Sequence, residues 1–318
     1  MPIEDLYVLS SELRTAKTGK PYFTLKIRKS NSQEGQKEFA AKIWSESFNK
    51  EKQDNDIKVG SVISCYYEEQ EHQGQVQLII EKFNIRSNPD TEKFKPPPAI
   101  DTQAVYNKLF LREWKDLDIS QFMKNLHSQL FKSGDNSNFT KLMEIPAGGK
   151  NHHARRAGLL QHVEEMFDIA NKLLDQDFPH YPSLINPEVL YVSIILHDLG
   201  KIHEYNPDTL SFEKDRIGAY LGHSCWSAMI VSSLWPKEGS RETMLKIMHC
   251  VLSHHGRLEH GAPVHPSIPE AILLHHIDAI SAQLDVFRTA TYLFNTEGKT
   301  PEFSKSISET PIIEGYPK

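Results

Sequence analysis

The hydrophobic pattern changes period once along this chain, and that change constrains the fold more than any other feature. Up to about residue 88 apolar and polar residues alternate, as in Tyr22-Phe23-Thr24-Leu25-Lys26-Ile27, the pattern of a half-buried strand. From about residue 101 apolar residues recur at three- and four-residue spacing. The clearest case is Leu159, Leu160, Val163, Met166, Phe167, Ala170, Leu173 and Leu174, one face of a helix. Between the two lies Arg86 to Ala99, with Pro89, Pro96, Pro97 and Pro98 and charges of both signs. Consecutive prolines favour polyproline II, so this segment reads as a semi-rigid extended linker. The chain therefore divides into a β unit over 1–88, a linker over 89–100, a helical unit over 101–295 and a polar tail over 296–318. A length of 318 residues suits two domains, and 39% hydrophobic residues let each bury a core. Disorder, collagen and a small disulfide scaffold are excluded.

In the β half, strands are expected at Leu6–Leu9, Tyr22–Ile27, Lys37–Trp44, Ser61–Glu68 and Val76–Ile85. Turn-forming clusters separate them at Thr18–Lys20, Ser30–Gly35, Asp54–Gly60 and His72–Gly74. Short strands joined by polar loops fit a small closed barrel, for which the OB-fold is the commonest candidate. Such barrels bind single-stranded nucleic acid by aromatic stacking beside a cationic groove. The candidate platform is Tyr22, Phe23, Trp44, Tyr66 and Tyr67, with Lys26, Arg28, Lys29 and Lys42 nearby. About half the aromatics of a small barrel must face its core, so packing competes with base contact at each position. The net charge of −6 speaks against a strongly basic nucleic-acid binder but leaves room for a local groove.

In the helical half, amphipathic segments cover Gln103–Lys115 and Ile119–Lys132. Asn186-Pro187-Glu188 starts a helix running to His197-Asp198, with Gly200 as its stop. Further helices are expected over about 222–235, 241–255 and 269–294. Cys65, Cys225 and Cys250 form no CxxC pair, which fits a reducing compartment. The N-terminus shows no signal peptide. The longest apolar-rich run, Val189 to Leu196, is far short of the ~20 residues a membrane span needs. A soluble cytoplasmic protein with no membrane association is expected.

Fourteen of the sixteen histidines lie between His152 and His276. Five positions carry the chemistry: His162, His197-Asp198, His223, His254-His255 and Asp278, each on or at the end of a different expected helix. His162 is one step from the apolar stripe of its helix, His197 continues the face of Leu190 and Ile194, and His255 extends Met244, Met248 and Val251. One inward histidine is ordinarily a hydrogen-bonded core residue. Five inward positions including two acids carry a desolvation cost that a divalent metal offsets. Imidazole and carboxylate without thiolate suit manganese foremost, or iron, cobalt, nickel, zinc or magnesium, in a water-bearing site. Six or seven ligands exceed one tetrahedral site and point to two ions, with Asp198 as the natural bridge. Two ions about 3.5–4 Å apart are a standard solution for phosphate-ester hydrolysis.

The ordered phrases His152-His153-Ala154, Gly158-Leu-Leu-Gln-His162, His197-Asp198-Leu-Gly-Lys201, Gly222-His223, Ser253-His254-His255-Gly256 and His276-Ile-Asp278 resemble the HD-domain metal-dependent phosphohydrolases. With the barrel in front, nearly the whole chain is similar to the YhaM-type 3′→5′ exoribonucleases. The resemblance implies an N-terminal OB-like barrel followed by an all-α HD-domain bundle. It also implies His162, His197, Asp198 and Asp278 at a first ion, and His223 with His254 or His255 at a second. Lys201 would contact the scissile phosphate. The family usually carries a second glycine and an acid before the first ligand, where this chain has Ala157 and Gln161; the acid-to-Gln change bears on the surroundings of His162. Arg155, Arg156 and Arg257 are cations near the ligands suited to phosphate, and His152 and His153 could line the substrate path. His180, His203, His249, His260 and His265 follow no ligand pattern. The implied activity is release of 5′-mononucleotides from single-stranded RNA or DNA, with a homo-oligomer left open. The rival readings are an HD phosphohydrolase acting on a small nucleotide, and a non-catalytic nucleic-acid-binding scaffold.

Overall fold

The computed structural model describes residues 3–30, 38–47, 57–72, 74–131, 138–149, 152–175, 184–206, 214–216 and 218–297. His180, most of the Ser30–Gly35 turn, part of the Asp54–Gly60 turn, Gln73, Lys132 and the tail from residue 298 lie outside them. The described residues up to Pro97 belong to one compact unit, and those from Pro98 onward belong to another.

The first unit is a closed barrel of β1 (Glu4–Thr15), β2 (Pro21–Lys29), β3 (Glu38–Trp44), β4 (Val62–His72) and β5 (Gln75–Ile85), in the spatial order β1-β2-β3-β5-β4. The β3–β5 pair is parallel and the others are antiparallel. β1 is three times the length of the expected Leu6–Leu9. Its first residues pair with β4 while most of its length pairs with β2, past an irregularity between Val8 and Ser10. Only Leu6–Leu9 are buried; the remainder is mostly exposed and leaves no hydrophobic trace. Leu6, Val8, Phe23, Leu25, Ile27, Ala41, Ile43, Ile63, Leu78 and Ile80 fill the interior.

Phe23 is therefore not a base-stacking residue. Strand alternation turns Phe23, Leu25 and Ile27 inward and Tyr22 outward. The linker expectation also needs correction. A short turn at Glu92–Phe94 buries Phe94 completely against Tyr7, Leu9 and Val62, and Lys93 reaches Asp5 at 2.8 Å. The first half of that segment is thus part of the barrel's packing.

The second unit contains α1 (Thr102–Phe110), α2 (Leu117–Asn125), α3 (Asn138–Glu144), α4 (Gly158–Leu173), α5 (Pro187–Leu196), α6 (Lys201–Glu204), α7 (His223–Leu234), α8 (Arg241–Ser253) and α9 (Pro269–Glu297). α1 stops five residues before the expected Lys115. The Arg112 guanidinium lies over the rings of Trp114, Phe167 and Tyr191, 4.7–4.9 Å from their centroids. Glu188 accepts the backbone N–H of Lys115 and Asp116, and Asp116 then caps α2. α2 gives way to a wide turn over Leu126–Leu130, and α3 was not foreseen.

α5 starts where expected, with Asn186 capping and Pro187 in its first turn, and is buried along almost its whole length between α4, α8 and α9. Gly200 does not act as a left-handed helix stop: its φ is −57° and it leads into α6. It is glycine because a Cβ there would lie 2.1 Å from the His223 carbonyl oxygen, so α7 crosses close above it. No helix among the described residues is long and apolar enough to cross a membrane.

Candidate metal centre

Five helices of the second unit deliver the ligand candidates. His162 sits in the second turn of α4 and is buried. Because α5 is apolar on every side, the residues that follow it, His197 and Asp198, are still inside the core where the helix breaks. His223 opens α7, just after Gly222, whose φ of +74° redirects the chain. His254 caps α8 and His255 follows. At Gly256, φ is +78° and a Cβ would lie 2.4 Å from the His275 ring, so the chain can turn there only as glycine. Asp278 is carried by α9.

These side chains converge in two groups, His162 with His197 and Asp278, and His223 with His254 and His255. Within each group the candidate ligand atoms all lie within 4.8 Å of one another. Asp198 stands between them. Its Oδ1 is 3.2 Å from His223 Nε2 and 3.7 Å from His254 Nε2, while its Oδ2 is 3.3 Å from His197 Nε2. Lys201 Nζ donates to Asp198 Oδ2 and to the Ala147 carbonyl, both at 2.5 Å. The Nδ1 atoms of His197 and His254 face the carbonyl oxygens of Ile194 and Val251 at 2.8 and 2.6 Å. A carbonyl can only accept, so Nδ1 carries the hydrogen and Nε2 keeps its lone pair.

The residues fit a divalent cation. His197 Nε2, Asp198 Oδ1 and His255 Nδ1 are buried without a hydrogen-bond partner, a cost of ~1–3 kcal/mol each unless something binds them. Burial pushes His162 down, and does the same to His254 and His255 with help from neighbouring imidazoles. All three are uncharged at neutral pH, as a metal ligand must be. Burial also opposes charge on His197, but Asp198 outweighs it and draws that ring upward. For Asp198 burial acts to raise the carboxyl, yet Lys201, His197 and His223 hold it well below the usual range.

Several buried or half-buried polar residues around the ligand candidates were not singled out in the sequence. His162 Nδ1 meets Ser281 Oγ at 3.0 Å, and that hydroxyl donates to Glu165 Oε2 at 3.1 Å. Glu204 Oε1 lies 3.3 Å from His223 Nδ1, and its other oxygen accepts from Lys214 at 3.1 Å. Burial alone would raise Glu204; His223 and Lys214 bring it to about 2. The available signal was spacing: Glu165 is three residues after His162, and Ser281 three after Asp278, each one turn along the same helix face.

The substrate-path candidates separate. His153 is fully buried, with Nε2 2.9 Å from Glu165 and its backbone N–H on Asp285 at 2.5 Å. It cannot face a substrate. Arg155 is not a free phosphate ligand either: two of its N–H groups hold Asp285 at 2.6 and 3.1 Å and Nε donates to Gln161. A buried carboxylate claims the cation that the sequence offered to phosphate. Arg257 is exposed and faces Glu259. His152 stays beside the centre, 5.2 Å ring to ring from His162, and burial, then His162, push it down to about 4. On the barrel, Tyr22 and Trp44 are register partners 4.9 Å apart, with Lys42 5.7 Å over the Trp44 ring. Lys26 and Arg28 pair with Glu38, and the Tyr67 hydroxyl bonds Glu4.

A helical unit gathering histidines and aspartates within and at the ends of its helices defines a metal-dependent phosphohydrolase of the HD class, and residues 159–283 match the HD domain family. Divalent metal dependence goes with that membership. One relative is the 3′-5′ exoribonuclease YhaM of Bacillus licheniformis, 30% identical over 299 residues, covering 90% of this chain and 87% of that one. The chain belongs to the YhaM family. No solved structure matches it significantly.

Proposed function

We propose that this chain is a metal-dependent 3′→5′ exonuclease that releases 5′-mononucleotides from single-stranded RNA, with single-stranded DNA as a second substrate. The observation that carries this is two ligand groups flanking Asp198 in a chain similar over nearly its full length to a 3′-5′ exoribonuclease. His162, His197 and Asp278 would hold one ion, His223, His254 and His255 the other, and Asp198 both. Manganese suits this donor set best. The ions would supply Lewis acidity toward water and the phosphoryl oxygens.

The chain's own residues do the rest. Lys201 carries three N–H groups, of which Asp198 and Ala147 take two, leaving one for a phosphate oxygen. His152, uncharged at neutral pH, offers a hydrogen bond without repelling the ions. Burial of the centre strengthens each of these electrostatic contacts. The barrel, over residues 1–88, would hold the strand on Tyr22 and Trp44, and the 101–295 unit would cut it; 89–100 would connect the two and 296–318 form a tail. The same reading puts the protein in the cytoplasm and is compatible with a homo-oligomer.

Incubation of the manganese-loaded protein with 5′-labelled single-stranded RNA is expected to give a ladder shortened from the 3′ end, with 5′-mononucleotide product. Metal-loaded protein that leaves the label at full length overturns the proposal. Base stacking on an aromatic side chain contributes ~1–3 kcal/mol. Trp44→Ala should therefore raise KM for RNA by ~5–100-fold and leave hydrolysis of a small chromogenic phosphodiester unchanged. Equal losses on both substrates would remove the barrel's role in strand binding.

A further inference from the structure

The two ligand groups are backed differently. In the first, His162 and His197 face a hydroxyl and a carbonyl, and the group contains its own carboxylate, Asp278. In the second, all three members are imidazoles. Among the described residues, the carboxylates that meet those imidazoles are Asp198, which is shared, and Glu204.

Glu204 is 2% exposed on the short helix α6, a place where a carboxylate is strongly unfavourable without a partner. Its Oε1 stands behind His223 Nδ1 at 3.3 Å. On the other side of that ring, His223 Nε2 is 3.2 Å from His255 Nε2 and 3.2 Å from Asp198 Oδ1. Two imidazole lone pairs facing each other at that distance repel unless a cation or a proton lies near. His223 is only half-buried and is the first residue of α7, directly after the left-handed Gly222. Its ring orientation therefore depends on what holds Nδ1. A carboxylate in that position fixes the tautomer with Nε2 free and strengthens the ring as a ligand. It also brings negative charge to a group whose three members are all imidazoles.

We infer that Glu204 is a positioning residue for the second ion: through His223 it decides whether that position fills, and the two ion positions are separable. The inference rests on the two-ion reading above. The competing role is structural, because Glu204 also ion-pairs through Oε2 with Lys214, which is largely exposed. The two roles use different oxygens and can be tested apart.

Full-length wild type, Glu204→Gln, Glu204→Asp and Lys214→Ala would be loaded with Mn²⁺ and desalted, the bound manganese counted by mass spectrometry, and the metal signal recorded by electron paramagnetic resonance. Wild type and Lys214→Ala should each retain two ions with a spin-coupled signal. Glu204→Gln should retain one ion with a mononuclear six-line signal, and its affinity for the second should fall by ~10–100-fold. Glu204→Asp, which keeps the charge on a shorter arm, should lie between them and stands in if the Gln variant does not fold. Two ions and a coupled signal in Glu204→Gln at wild-type affinity overturn the inference. Equal loss of both ions in Glu204→Gln and Lys214→Ala does so as well, since that is the signature of a structural role. A single ion in the wild type instead overturns the two-ion reading itself.

Discussion

Asp198→Asn is expected to slow RNA hydrolysis by ~10³-fold or more, equivalent to about 4 kcal/mol of transition-state stabilisation. Asp198 is the side chain whose two oxygens face both ligand groups, with Oδ1 toward His223 and His254 and Oδ2 toward His197 and Lys201. Asparagine keeps the shape but replaces one oxygen with an NH₂ group. Whichever way it turns, donor hydrogens point at an imidazole lone pair or at the Lys201 ammonium. The substitution also strips the Lys201 ammonium, almost completely buried, of its counter-charge. Bound manganese should therefore fall together with the rate, while far-UV circular dichroism stays unchanged because the main chain at the end of α5 is held by backbone bonds. Steady-state rates on labelled RNA and metal counting on the same sample check this. Wild-type rate and metal content in the variant would remove Asp198 from the centre.

The second large effect is on stability. Asp285 is buried and accepts both arms of Arg155, the His153 backbone N–H and a contact from Arg288. It ties α9 to the loop before α4. That loop contains two non-glycine residues with left-handed backbone, His153 at φ 45° and Ala157 at φ 57°, a conformation that persists only when the surroundings enforce it. Gly158 adds to the constraint, since a Cβ there would lie 1.9 Å from the His153 carbonyl oxygen.

Asp285→Ala leaves Arg155 without its counter-charge and lets the loop relax. A loss of about 3 kcal/mol is expected, lowering Tm by ~6–12 °C. Its pH dependence has a definite sign. Burial acts to raise the Asp285 carboxyl, but Arg155 and the His153 backbone N–H hold it below the usual carboxylate range. A depressed carboxylate stabilises the fold above its unfolded pKa of ~4, and that contribution disappears as pH falls through the folded value. The gap between wild type and variant in urea unfolding should be full at pH 7 and shrink below ~pH 4. A gap that widens on acidification would rule this out.

Much of the candidate site was legible in the amino-acid sequence. His162, His197 and Asp278 each interrupt or border an apolar helical stripe, and an ionisable group in such a stripe must find a partner. The surrounding acids were not legible. Glu165, Glu204 and Asp285 occupy positions that would be equally at home on a solvated helix face, and only contacts with distant parts of the chain bury Glu204 and Asp285 and half-bury Glu165. Arg155 illustrates the same limit in reverse: beside a metal site in sequence it reads as a phosphate ligand, and a carboxylate 130 residues away occupies it. In the barrel, Phe23 shares its alternation phase with Leu25 and Ile27 and so belongs to the core face, while Tyr22 shares the outer phase with Thr24 and Lys26. The short α6, the early end of α1 and the long exposed half of β1 leave no periodic trace, because their lengths are set by partners elsewhere in the chain.

The sequence by itself determined the two kinds of unit and the histidines and aspartates that could hold a metal. These are properties of residue type and of spacing within one element, where the backbone geometry is known in advance. Only the tertiary structure decided how those side chains divide into two groups on either side of Asp198, and which buried acid stands behind which histidine. Those are distances between different helices, and the crossing of α4, α5, α7, α8 and α9 sets them.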